Sequence, residues 1–556
     1  MKKAYLAMTG ALTAAASLSF AIPFDNSSGG PVTATVGPSG DYPSLAAAAA
    51  AFSSVSGGIN REWTLQIQAD LTETAASYFG NTFGPGGKLI IKPAPSTQPT
   101  VTFQIPSAPA GIFGDIVFGV SNGNLPTAAN DFPSNGNYVI DGSNTPNGTT
   151  RDLTFLVPST FNDPMLRVVR IWGDTKNMVI KNLRVINRDS SGSGHCIGLA
   201  SGQTSDATPV SRYVGGLVID NCYLEAQASA STTSFGVDSS LTANGTLPAG
   251  LCQDNITVRN CTIVAKQRGI FLHAQSGLIE GNDVTVTSGT ATGVIYSGIF
   301  PFSNNTTPGG TLVVRNNVVK LVTVPANTAA QGAIGLYFET SMDGTTLQIY
   351  NNILKDFTFT ATSPADLLYR PISLGSTTSD VFIEHNSINA APNNAAVSGA
   401  TAGRVAGISS PSARSAGTLS IRNNIIRMGN AGPTAACIYF ATPTGGTVIS
   451  AGNNLVPNGT PNVGRIGATN YATLTDWQNA GYDSAASGGQ SVDPASVVPA
   501  WDANLHFALK PVGLGTVASS TILADIDGDL RPATNAYPGA DEPPGPAASV
   551  ADWALF

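Results

Sequence analysis

Charge is scarce in this chain: 11% of its 556 residues are Asp, Glu, Lys or Arg, with a net charge of −8. So thin a negative balance gives no basic patch of the kind that marks a nucleic-acid or anionic-membrane partner. After the N-terminus there is no uninterrupted apolar run of about 18 residues, so no later segment reads as a membrane span. The five cysteines (Cys196, Cys222, Cys252, Cys261 and Cys437) include no CxxC pair and no metal-knuckle spacing, which removes the usual zinc and dithiol motifs. Cys222–Cys261 is the best disulfide candidate, but free, buried, stacked thiols are the expectation. Disorder is excluded as well, because 42% of the chain is hydrophobic and its pattern is periodic.

What the chain has in quantity is glycine, 60 residues of it, and a recurring phrase. "LSIRNNIIRMGN" at Leu419–Asn430 has close copies at Leu312–Lys320 and Leu347–Lys355, and looser ones begin at Met178, Leu217, Ile256, Leu278 and Val381. Each alternates β-branched and polar residues at period two, breaks at two small polar residues, and resumes as a second short strand. Aligned on the break, the copies give Asn182, Asn221, Asn260, Gly281, Asn316, Asn351, His385, Asn423 and Gly452. Their spacing varies from 21 to 39 residues, which no helical-pair solenoid tolerates. Short strands, one fixed polar corner and loops of variable length describe the coils of an all-β, right-handed parallel β-helix. About a dozen coils would stack to roughly 55–60 Å at the β spacing.

Two columns support this stacking. The residue after the corner is Asn without a break from Asn282 through Asn317, Asn352, Asn386, Asn424 and Asn453, preceded by Cys222 and Cys261. Amides about 4.8 Å apart would bond along the axis as a ladder. The residue before the corner reads Lys181, Asp220, Arg259, Glu280, Arg315, Tyr350, Glu384, Arg422, so apart from Tyr350 neighbouring strands bring opposite charges together.

Lys2 and Lys3, an apolar stretch over Ala4–Leu18 and small residues at Ser19 and Ala21 read as an export signal cleaved near Ala21. The expected organisation is a leader at 1–21, then an N-terminal strand and capping helix at 22–52 with Ser44 as N-cap. Coils follow over 53–467, a closing segment over 468–542 and a flexible tail over 543–556.

Thr33–Phe52, with "WTLQIQADLTE" and "GGKLIIKP" after it, resembles the opening of pectinesterase-like and related pectin-lyase-fold β-helix proteins. Leu474–Glu542, with "LTDWQNAGYD", "WDANLHFALKPVG" and "DIDGDLRPATNAYPGADE", resembles the closing module of secreted bacterial β-helix proteins. The resemblance implies the fold and a site, if there is one, on the outer face of a parallel sheet. It does not select an activity, because the fold hosts many. The polygalacturonase-like, pectinesterase-like and pectate-lyase-like signatures are all missing; the chain has no Asp-Asp pair at all. In such modules the DIDGD phrase is structural, and calcium is the alternative reading, the one cofactor the sequence leaves open. Asp525, Asp527 and Asp529 would otherwise read as calcium ligands, but they lack the downstream Glu of an EF-hand. His506 belongs to the same module.

Aligning "CIGLAS", "SFGVDS", "GIFLHA", "GVIYSG" and "AIGLYF" puts Ala200, Asp238, His273, Ser297 and Tyr337 in one column, with Asp238 beside His273. Together with Arg268 these residues suit β-elimination of a uronic-acid polysaccharide. Arg268 would neutralise the sugar carboxylate, His273 or Tyr337 would remove the C5 proton, and a tyrosine would protonate the leaving oxygen. Lys266 stands near Arg268 as a substrate-binding candidate. A second basic stretch holds Arg167, Arg170, Lys176, Lys181, Arg184 and Arg188 against Asp163, Asp174 and Asp189, with Trp172 and Tyr223 as stacking surfaces for sugar rings. The loops Ser229–Asp254 and Phe300–Gly310 would flank a groove. The expectation is a monomeric secreted or cell-surface protein that binds or cleaves an acidic polysaccharide, as a lyase or hydrolase if catalytic. The competing reading is a non-catalytic, adhesin-like prism.

Overall fold

The computed structural model describes residues 22–105, 116–119, 137–161, 166–172, 175–190, 193–200, 214–227, 233–239, 255–274, 276–287, 294–302, 309–322, 332–339, 342–357, 368–390, 405–429, 434–459, 462–484, 488–497, 505–507, 509, 511–515, 521–532 and 535–543. The expected export signal, Cys252, the expected tail beyond residue 543 and most of the two expected flanking loops lie outside these residues.

One coil shows how the rest are built. Thr311–Arg315 runs in the first sheet, turns at Asn316-Asn317, and continues as Val318–Val322 in the second sheet. Gly332–Phe338 supplies the third sheet, and Thr346–Tyr350 re-enters the first, in register from Thr311↔Thr346 to Arg315↔Tyr350. Alternate residues such as Leu312 and Val314 point into the core, so period-two patterning becomes an inner apolar lining. Among the described residues the three sheets hold 13, 12 and 13 strands, and one pairing, Asn462–Ile466 with Thr469–Tyr471, is antiparallel. The chain is an all-β parallel β-helix.

The corner explains the repeated phrase. All nine aligned residues, Asn182, Asn221, Asn260, Gly281, Asn316, Asn351, His385, Asn423 and Gly452, are left-handed, with φ between 49° and 69°. Glycine and asparagine bear this conformation at least cost, so they dominate the position. The next residue turns inward and forms the ladder. Each side-chain amide donates at 2.9 Å to the next carbonyl oxygen, from Asn282 to Asn317, Asn352, Asn386, Asn424 and Asn453. The ladder ends on Asp483, whose carboxylate accepts from Asn453 at 3.0 Å, from the Trp477 indole at 3.1 Å and from the Ser450 hydroxyl. Burial pushes the Asp483 carboxyl above its ordinary range.

Two neighbours of the charge column pair as expected, Arg259–Asp220 at 2.8 Å and Arg315–Glu280 at 2.6 Å, while Lys181 pairs with Asp141 of the preceding coil at 3.1 Å. Tyr350, the exception to alternation, accepts a hydrogen bond from Arg315 at 2.8 Å and so fills an acceptor's place. Cys196, Cys222, Cys261 and Cys437 are free and buried.

Near the N-terminus the helix Leu45–Ser53 begins at Ser44, whose hydroxyl accepts the Ala47 N–H at 3.0 Å. The Glu73 carboxylate receives the next free donors, Leu45 N–H at 2.7 Å and Ala46 N–H at 3.1 Å. Leu45, Ala48, Ala49 and Phe52 pack into the core of the first coils. After the last coil, helix Leu474–Asn479 lays Trp477 over Gly464, where any side chain would collide with the indole. The segment beyond it runs along the side of the stack. Leu505, Phe507, Leu514, Tyr537 and Ala540 cover Ile353 and Ile425 on the outside of the second sheet. Gly539 N–H bonds the Asn423 carbonyl at 2.8 Å, and Arg531 reaches Asn351 at 3.2 Å.

Candidate active site

The third sheet presents one continuous outer face, and a column of glycines decides which residues reach it. A Cβ on Gly236, Gly269, Gly298, Gly335 or Gly407 would strike Ile263, Val284, Val319, Leu354 or Ile426 of the second sheet. At each coil a glycine therefore faces inward, and the next residue (Val237, Ile270, Ile299, Leu336, Ile408) is buried in the core cluster too. Two successive inward positions leave Arg268 and Phe271, three residues apart, on the same outer face.

The register then sets two outward columns. The first runs Arg167, His195, Phe235, Arg268, Ser297, Ile334, Arg370. The second runs Arg170, Gly198, Asp238, Phe271, Phe300, with Tyr337 and Ser373 continuing it. Gly198 gives passage to Arg167, whose side chain occupies the space a Cβ there would need. Arg167 thereby reaches two coils along to the fully buried Asp238, with Nη2–Oδ2 at 2.6 Å and Nε–Oδ2 at 3.0 Å. His195 Nδ1 lies 4.0 Å from the same oxygen.

Rings form a stair beside these charges. Centroids step 4.7 Å from His195 to Phe235, 5.4 Å to Phe271, 5.0 Å to Phe300 and 4.4 Å to Tyr337. The Arg268 guanidinium rests on this stair, 4.2 Å from the Phe271 centroid, 4.8 Å from Phe300 and 5.2 Å from Phe235. It makes no ion pair among the described residues. Burial pulls its pKa down to about 10, against the attraction of Asp238 and Glu339, so it stays charged at neutral pH. Burial and the nearby Glu339 charge push the Tyr337 hydroxyl up to about 12, and that hydroxyl donates to Glu339. Burial raises the Glu339 carboxyl, and Arg268 opposes the rise. Burial also lowers Arg170, with the neighbouring Arg167 adding to the effect.

The sequence-predicted residues divide. Asp238, Arg268 and Tyr337 share this face. His273 does not stand beside Asp238: the register pairs Asp238 with Phe271 and His273 with Phe302. The alignment slipped by two residues because it matched Ser234 to Gly269, whereas Gly236 is the equivalent of Gly269. The His273 side chain lies outside the described residues, as does that of Trp172, whose backbone ends strand Leu166–Trp172 of the same sheet. Lys266 is half-buried just before Arg268, and burial lowers its ammonium.

The second basic stretch is split among the sheets. Arg184 and Tyr223 stack at 4.8 Å on the second sheet. There Arg188 pairs with Glu225 at 2.8 Å, and Tyr223 donates to Glu225 at 2.9 Å. Only Arg167 and Arg170 belong to the third-sheet site. His195, Glu339 and Arg370 are further members that the strand alignment missed; the glycine column would have revealed them. Asp525, Asp527 and Asp529 form no single ligand set, since Asp525 accepts the N–H groups of Asp527, Asp529 and Glu542.

No protein-family model matches the chain, and no curated protein matches it. Among the described residues no helix is long and apolar enough to cross a membrane.

Burial lowers His195 to about 4 from 6.5, with Arg167 and Arg268 adding to the shift and Asp238 opposing it. Between those two values the unfolded chain binds the proton that the folded chain refuses, so stability falls as pH drops from 6.5 toward 4. The contribution is roughly 3 kcal/mol. Denaturant unfolding at stepped pH is expected to show this loss, and His195→Gln is expected to flatten the curve across that window.

Proposed function

We propose that this is an exported β-helix protein whose third-sheet face binds an acidic polysaccharide and cleaves it by β-elimination. The carrying observation is Arg268: a charged guanidinium held on three phenylalanine rings, without a carboxylate partner among the described residues. It is built to receive an anion from outside, and the partly exposed rings of Phe271, Phe302 and Tyr337 offer flat surfaces to sugars. The leader-like segment Lys2–Ala21 supports an extracellular substrate.

Arg268 pairs with the uronate carboxylate and so acidifies the adjacent C5–H. Glu339 takes the C5 proton, the electron pair forms the C4–C5 double bond, and the C4–O bond breaks. Tyr337, held protonated by its raised pKa, donates to the departing oxygen. Glu339 then returns its proton to Tyr337 through the hydrogen bond they share, and the pair is reset. In this reading Tyr337 is the acid, and the base is Glu339 rather than His273.

The test is incubation with pectic, alginate-like and sulfated polysaccharides, followed by the ultraviolet absorbance of unsaturated ends. Tyr337→Phe is expected to lower turnover about a hundredfold or more while leaving binding intact. Arg268→Ala is expected to weaken binding itself. Binding without new ends in the unaltered protein would sink the elimination step, and no binding across the panel would sink the whole reading.

A further inference from the structure

Away from the third sheet, the lateral C-terminal segment gathers a different set of groups. His506, Asp527 and Asp541 each offer one ligand atom, and these atoms all lie within 4.8 Å of one another. They come from three separate stretches of chain, 505–507, 521–532 and 535–543. His506 Nδ1 is 2.9 Å from Asp527 Oδ2. Asp541 is only 3% exposed. One of its oxygens accepts the Phe507 N–H, while the other accepts no hydrogen bond among the described residues. A carboxylate this far buried is stabilised by a cation that meets it. Arg531 is bonded to Glu542 at 2.6 Å and acts on Asp541 only through its field. The Asp525 and Asp527 carboxylates both act on Asp541, against the His506 imidazole and that arginine.

We propose that His506, Asp527 and Asp541 bind one divalent transition-metal ion of the zinc or manganese class. An imidazole nitrogen with two carboxylates is a common donor set for such ions, whereas calcium takes an all-oxygen shell. An ion with bonds of about 2.1 Å spaces its ligands by roughly 3.4 Å. With His506 and Asp527 at 2.9 Å and every pair within 4.8 Å, the set needs shifts of about an ångström or less, and the exposed Asp527 side chain can rotate to admit the ion. Because His506 and Asp527 both reach solvent, water completes the coordination. The ion would tie three strips of the segment together against the second sheet. This site is independent of the polysaccharide reading.

The test uses the full, tag-free chain, stripped with a chelator and desalted, and titrated calorimetrically with Zn²⁺, Mn²⁺ and Ca²⁺. One Zn²⁺ or Mn²⁺ per chain is expected, with Ca²⁺ at least tenfold weaker. Asp541 is buried and its replacement risks the fold, so the informative variants are His506→Gln and Asp527→Asn at the partly exposed positions. Each is expected to weaken Zn²⁺ binding at least tenfold while leaving metal-free thermal unfolding unchanged. Visible absorption of the Co²⁺-loaded chain is expected to lose its ligand-field bands in His506→Gln. No stoichiometric binding, binding unmoved by both variants, or a preference for Ca²⁺ would overturn the proposal.

Discussion

Asn317→Leu is expected to cost about 4 kcal/mol of folding stability, while Asn316→Gly next to it costs about 1 kcal/mol or less. The two asparagines are adjacent and share one phrase, but they do different work. Asn316 supplies a left-handed turn with φ 57°, which glycine adopts freely. Asn317 is fully buried and donates to the Ile279 carbonyl, the Arg315 carbonyl and Asn352 Oδ1, each at 2.9 Å. It also accepts from the Asn282 backbone at 3.1 Å and from the Asn282 amide at 2.9 Å. Leucine fits the volume but strands these groups away from water, and each orphan costs about 1–3 kcal/mol before relaxation. Equilibrium denaturant unfolding of the two variants decides the matter. Equal losses would mean that the ladder adds nothing beyond the turn.

Asp238→Leu is expected to destabilise the protein by about 3–5 kcal/mol, the range for removing one member of a buried ion pair. Arg167 would keep its charge at 3% exposure and lose its 2.6 Å contact with Asp238, with Arg170 close by. Arg167→Met alone is expected to cost a similar amount by removing the guanidinium that meets buried Asp238 at 2.6 Å. The double variant Arg167→Met/Asp238→Leu is expected to recover most of the loss, because apolar replacement of both partners avoids desolvating charge. Thermal unfolding of the four proteins closes the cycle. Additive losses in the double variant would show that the pair is not coupled.

The architecture was legible because its signals are local and repeat. The corner needs a left-handed residue and then an inward amide, and both requirements write themselves into consecutive positions of every copy. The charge column was legible for the same reason, and even its exception, Tyr350, keeps an acceptor in place. The site was harder to read, because outward residues obey no repeat. Asp238, Arg268 and Tyr337 could be found as unusual residues on one strand set, but their partners depend on register. The register is marked by glycines chosen for what the second sheet places opposite them. Gly198 shows the difficulty best: it is empty so that Arg167 can cross to Asp238, a relation spanning 71 residues that no local window contains.

Asp483 ends the ladder for a chemical reason. Every asparagine both receives a hydrogen bond and passes one on, always toward the next coil, so the series has a direction. A carboxylate only receives. Its four acceptances, from the Asn453 backbone, the Asn453 amide, Ser450 and Trp477, leave it no proton to hand forward. It acts as a full stop. The series of amides stops where an acid takes the next place, so Asp483 gives the ladder its C-terminal end and its direction.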